Sequence, residues 1–135
     1  MFLALLALAG CNPQARGFKL PEGDVTAGKA AFTDLACNEC HSTADIDTLA
    51  GSTSGFNLTL GGKTTSIKTY GELLTSIINP SHKIARRYST KPLDTEGESA
   101  MRRYNDVMTV QQLVDLVTFL ETSYELEMPQ SYMYF

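Results

Sequence analysis

The sequence predicts an all-α domain, and two observations indicate this. Three segments, residues 24–36, 70–79 and 110–124, combine capping residues with apolar side chains at helical spacing. No stretch alternates between polar and apolar side chains as a half-buried strand would. Residues 42–66 and 88–100 are rich in turn-forming residues and are expected to be loops. With about 125 residues outside its apolar N-terminal stretch, the chain has the size of one domain.

The first predicted helix begins after Asp24, whose carboxylate can accept a hydrogen bond from the first turn. Its apolar residues continue up to a segment that reads Cys37-Asn38-Glu39-Cys40-His41. The helix is therefore expected to lead directly into this segment.

The two later helices each begin with a capping box. Thr69 and Glu72 form one box, and Thr109 and Gln112 form the other. Pro80 ends the middle helix, because proline cannot continue the helical hydrogen bonding. In the last helix the apolar residues recur at helical spacing: Val110, Leu113, Val114, Val117 and Leu120.

The Cys-x-x-Cys-His segment is the strongest functional signal in the chain. Two thiols at this spacing can each form a thioether with a haem vinyl group, and the adjacent His41 can ligate the iron. The segment occurs once. We therefore predict one covalently attached haem c, held by Cys37 and Cys40.

Two other interpretations of the cysteine pair are weaker. A zinc site needs about four protein ligands, and only Cys11 and His82 remain as further thiols and imidazoles. A thioredoxin-like redox pair would follow a strand, whereas residues 27–36 are predicted to be helical.

The N-terminal residues 1–10 are apolar but too few to span a bilayer, which takes roughly 20 residues. The run Leu8-Ala9-Gly10-Cys11 resembles a bacterial lipobox, so residues 1–10 are expected to be a signal peptide and Cys11 the lipidated residue. Residues 11–23 would then be a tether. This arrangement predicts a location on the periplasmic side of a bacterial membrane, which agrees with haem attachment outside the cytoplasm. The alternative is a buried apolar N-terminus with a core cysteine.

The order of these features resembles the class I, mono-haem cytochrome c family over roughly residues 24–124. In that family a glycine and an aromatic residue of the first helix pack against an aromatic residue of the last, and Gly28, Phe32 and Phe119 stand in the matching places. The resemblance implies a cytochrome c fold with three or more helices around one haem. We assign residues 24–127 to this domain.

The resemblance also implies a methionine as the second axial ligand, in a loop shortly before the last helix. The run from Met101 through Tyr104, Asn105 and Asp106 to Thr109 has the family's order. Met101 is therefore the predicted ligand. The alternatives are His82, which would give a bis-histidine haem, and Met108, which more simply fills the core.

Two positions depart from the family pattern. Arg102 follows the methionine where proline is usual, and Gly55-Phe56 stands where Gly-Pro usually supplies a carbonyl to the axial imidazole.

Charge is unevenly distributed although the net formal charge is only −4. Eight of the eleven basic residues lie between Lys63 and Arg103. Five of them bracket the predicted methionine loop and could steer an acidic redox partner: Lys83, Arg86, Arg87, Arg102 and Arg103. The acidic total does not favour nucleic acid. The aromatic tail, residues 128–135, either folds back over the domain or contacts a partner.

Three functions remain open at this point. The leading hypothesis is a lipid-anchored carrier that transfers single electrons and is not itself an enzyme. The second is the haem subunit of a periplasmic oxidoreductase complex. The third is a sensor or enzyme whose haem has an open sixth position.

Overall fold

The computed structural model describes residues 20–52, 54–55, 57–84 and 96–128. Its three α-helices are α1 (Val25–Asp34), α2 (Tyr70–Ile78) and α3 (Val110–Thr122). A 3₁₀ turn (Cys37–Glu39) follows α1. None of the helices within the described ranges is long and apolar enough to cross a membrane.

The predicted caps are confirmed. The Asp24 carboxylate accepts a hydrogen bond from the Ala27 N–H at 2.7 Å. Both capping boxes form, with Thr69 and Glu72 at the start of α2 and Thr109 and Gln112 at the start of α3. The last helix ends at Thr122 rather than at residue 124, because the backbone then enters a strand.

The sequence predicted no strands, and this prediction is wrong. Within the described ranges, four strands of two or three residues form two parallel pairs: β1 (His41–Ser42) with β2 (Leu58–Thr59), and β3 (Gly62–Thr64) with β4 (Tyr124–Leu126). Three of them lie wholly or partly within residues 42–66, which the sequence indicated as loop. Strands this short bury no continuous face, so they leave no alternating pattern in the sequence.

The second strand pair depends on a close backbone approach. Gly61 has a φ of +95°, and a Cβ there would meet the backbone carbonyl of Ser123. That carbonyl accepts a hydrogen bond from the Gly62 N–H at 2.7 Å. Glycine supplies both the left-handed backbone and the space that the pairing needs.

The core is formed where α1 crosses α3. Gly28 is buried, and a Cβ at this position would overlap the backbone carbonyl of Asp115. Phe32 and Phe119 meet edge to face with ring centroids 5.9 Å apart, a favourable aromatic geometry. The predicted packing of these three residues is therefore confirmed.

A buried carboxylate joins the same two helices by hydrogen bonds. Asp115 on α3 is only 6% exposed. Its Oδ1 accepts hydrogen bonds from the Asp24 backbone N–H at 2.9 Å and from the Gln111 amide at 2.8 Å. The N-terminus of α1 is thus fixed to α3 as well as capped by its own residue.

Candidate functional site

The site is a cleft made of two adjoining cavities of about 290 and 260 Å³. The first cavity lies against α2 and α3, and the second lies against the Cys-x-x-Cys-His segment. Six residues line both cavities: Cys37, His41, Ser76, Lys83, Met101 and Tyr104. The shared residues include three of the predicted haem-binding residues, Cys37, His41 and Met101.

The walls of the first cavity are mainly apolar. They come from α1, from the segment before β3, and from the inner faces of α2 and α3: Phe32, Leu60, Leu73, Ile77, Leu116 and Leu120. Lys68 and Lys83 also line this cavity and are exposed. An apolar cleft with cationic groups at its surface suits a flat apolar ring that carries carboxylates.

The first thiol lies at the meeting point of the two cavities. The residue before it, Ala36, has a φ of 56°, a left-handed conformation that separates α1 from the 3₁₀ turn. Cys37 is buried, whereas Cys40 is partly exposed and lines only the second cavity. The two cysteines are not joined by a disulfide, so both sulfurs remain free to bind a ligand.

The buried cysteine is held in its neutral form. Burial raises the pKa of the Cys37 thiol to about 11, although a hydrogen bond from the Tyr104 hydroxyl opposes this effect. Burial also raises the pKa of Tyr104 to about 12. At neutral pH this part of the cleft therefore holds a thiol and a hydroxyl without charge.

The imidazole of His41 is oriented by a backbone carbonyl. Its Nδ1 lies 3.2 Å from the Leu58 carbonyl oxygen, which belongs to the strand paired with His41. Burial lowers the pKa of His41, and the Leu58 contact acts in the opposite direction. The neutral ring can therefore donate from Nδ1 to Leu58 and keep Nε2 available as a ligand atom.

The three candidates for the second axial position lie in different environments. Met101 lines both cavities together with His41. His82 lines only the first cavity, is exposed, and places Nδ1 2.9 Å from the Asn79 carbonyl. Met108 packs against the core and is not among the residues that line either cavity. The arrangement thus brings Met101 and His41 to one cleft and leaves Met108 in a packing position.

Several residues of the site were not predicted from the sequence. The carbonyl that orients His41 comes from Leu58, two residues beyond the Gly55-Phe56 pair that marks the family position. Tyr124 lines the first cavity from β4 rather than from a helix. Both positions follow from the short parallel strands, for which the sequence carries no signal.

Three further sequence predictions concern residues outside or at the margin of the described ranges. Cys11, Arg86 and Arg87 lie outside them, and so does the tail except for Met128, which is 65% exposed. Within the described ranges, no group of three or more His, Cys, Asp or Glu side chains is placed to hold a metal ion.

A family model described as "Cytochrome c" matches residues 25–123, which is most of the chain. No curated protein and no solved structure matches.

Proposed function

Since the chain belongs to the cytochrome c family, we propose that it is a mono-haem c-type cytochrome that transfers single electrons on the periplasmic side of a bacterial membrane. The observation that carries the proposal is the shared cleft, in which Cys37, His41 and Met101 line the same two cavities. Cys40 completes the thioether pair from the second cavity.

The bound haem would supply one iron that changes between the ferrous and ferric states. Cys37 and Cys40 would hold the group through their sulfurs, and His41 would offer Nε2 while the Leu58 carbonyl fixes its ring. The neutral thioether of Met101 would favour the reduced iron and raise the potential relative to a second imidazole.

The residues around the cleft then serve a transfer that makes no bond to a substrate. With haem bound, the apolar walls would keep water from the buried part of the site and so limit solvent rearrangement when the charge of the iron changes. Lys68, Lys83 and Arg102 lie at the cavities and are exposed. They would complement an acidic redox partner and permit rapid release, since exposed charges mainly accelerate encounter.

Two of these cations already have acidic neighbours. Lys83 Nζ lies 3.3 Å from Glu72, and Arg102 lies 3.9 Å from Glu39. These exposed pairs are weak and screened by salt, so a partner's carboxylates could compete with them. We propose that the partner is either a free electron acceptor or another subunit of an oxidoreductase complex.

The intact mass of the exported protein tests the proposal. One covalent haem should add the mass of a single haem to the polypeptide, and the group should survive extraction with acidified acetone. Cys37→Ser and Cys40→Ser should each reduce retention, whereas Ser66→Ala, at an exposed turn, should not. Complete extraction of haem from the unaltered protein would exclude a c-type cytochrome.

A further inference from the structure

The backbone of Met101 is connected to the turn after α2 through two serine hydroxyls. The Met101 N–H donates to Ser99 Oγ at 3.2 Å. The Ser99 N–H in turn donates to Ser81 Oγ at 3.1 Å. Both contacts are partly buried. We call Ser81, Ser99 and the Met101 N–H the serine relay.

The relay starts from a well-anchored part of the fold. Ser81 follows Pro80, which is buried where α2 has ended. The same helix contributes Leu73 and Ile77 to the core. Ser81 and Ser99 are 18 residues apart in the chain, so their contact joins the segment before Met101 to the turn that follows α2.

The other side of the loop is held differently. The Tyr104 carbonyl accepts hydrogen bonds from the N–H groups of Val107 and Met108 at 3.0 and 2.9 Å. The Tyr104 ring is buried against Cys37. On the N-terminal side of Met101, the N–H groups of Met101 and Ser99 instead donate to serine hydroxyls.

We propose that Ser81 and Ser99 are positioning residues that keep the Met101 thioether in the cleft lined by His41. This inference rests on the proposed function, because it takes Met101 as the ligand of a bound haem. The Ser99 hydroxyl holds the N–H of Met101 itself, and the Ser81 hydroxyl holds the N–H of Ser99. Both bonds therefore restrict movement of the loop away from the cleft. Losing either hydroxyl favours states in which Met101 has left the cleft.

Competition by free imidazole measures this effect in the haem-loaded protein. Imidazole displaces the methionine, and its binding is followed by loss of the weak sulfur-to-iron absorption band. Ser99→Ala and Ser81→Ala should each increase the apparent imidazole affinity about five-fold, the effect of one net hydrogen bond. The double variant should show less than the product of the two effects, since both act on the same backbone segment.

Conservative variants and a distant control separate positioning from general destabilisation. Ser99→Thr keeps the hydroxyl and should retain the imidazole affinity of the unaltered protein. Ser66 lies in an exposed turn, so Ser66→Ala should also leave that affinity unchanged. If the two serines only stabilise the fold, their alanine variants should have a lower free energy of unfolding and an unchanged imidazole affinity.

The outcomes distinguish this inference from the proposed function. If both alanine variants keep their haem and band but bind imidazole as the unaltered protein does, the relay has no positioning role. A protein with covalent haem but no sulfur-to-iron band also refutes the relay, because Met101 is then not the ligand. A protein without covalent haem refutes the proposed function itself.

Discussion

At the residue scale, the cleft combines neutral interior groups with charged residues at its surface. His41, Cys37 and Tyr104 all have pKa values that burial shifts toward their neutral forms. Lys83 and Glu72 instead form an ion pair at 3.3 Å with both side chains well exposed. When the charge of a bound iron changes, these neutral groups add little electrostatic interaction inside the cleft. The exposed charges remain available to contact a redox partner.

The ion pair at the cleft predicts a pH-dependent contribution to stability. A hydrogen bond from Lys83, helped by the Thr69 N–H, lowers the pKa of Glu72. Because the folded pKa lies below the unfolded one, this stabilisation is present above the unfolded pKa and is lost as pH falls through the folded pKa.

Replacing the lysine should reveal this effect directly. Lys83→Met should raise the pKa of Glu72 toward its ordinary value, measured by NMR titration of the Glu72 carboxyl carbon. Lys29→Met is the matched control, because Lys29 pairs with Asp45 at 3.5 Å instead. An unchanged Glu72 pKa in Lys83→Met would show that the pair does not form in solution.

At the scale of elements, the contact between α1 and α3 depends on the missing side chain at Gly28. A methyl group there would overlap the Asp115 carbonyl and crowd the Phe119 Cβ. Gly28→Ala should therefore lower the free energy of unfolding by about 1–3 kcal/mol, the usual effect of overpacking a core. Denaturant unfolding of the haem-loaded protein measures this change.

Gly71 in α2 is the matched control for this substitution. Nothing lies within 4 Å of a Cβ added there. Gly71→Ala should leave stability unchanged or raise it by up to about 1 kcal/mol, because alanine favours helix. Equal effects of the two substitutions would show that close packing at Gly28 is unimportant.

The helices could be predicted from the sequence because their signals are local. Asp24, Thr69 and Thr109 each lie within three residues of the groups that they cap. Gly28 and the two phenylalanines could be placed only through resemblance to a family. The strands could not be predicted, because their pairing joins residues that are far apart, such as His41 with Leu58 and Gly62 with Tyr124.

The same limit applies to the site. The Cys-x-x-Cys-His spacing identifies Cys37, Cys40 and His41 without any knowledge of the fold. The Leu58 carbonyl and the serine relay depend on contacts across 17 and 18 residues. Backbone groups and common polar side chains leave no distinctive pattern, so only the structure assigns them.

At the scale of the whole molecule, the proposed membrane location depends on Cys11. Cys11→Ala should abolish lipid labelling and release the protein from membranes, because stable anchoring takes two or more lipid signals. Fractionation of cells with and without the substitution measures this release. Haem content should be unchanged, and membrane retention without any lipid on the unaltered protein would contradict the anchor.

The central claim is that one cleft holds haem iron between His41 and Met101, and the visible spectrum of the oxidised protein tests it most directly. The unaltered protein should show a weak sulfur-to-iron band at the red edge of the spectrum. Met101→Ala should remove this band and lower the potential while the haem stays attached. Met108→Leu, a core substitution of similar volume, should leave the band unchanged.

Two results would contradict the assignment of Met101 as the second axial ligand. If His82→Ala rather than Met101→Ala changes the spin state, the haem has two histidine ligands and the cleft assignment of Met101 is wrong. If neither substitution changes the spectrum, the sixth position is open, and a sensor or enzyme becomes the favoured function over an electron carrier.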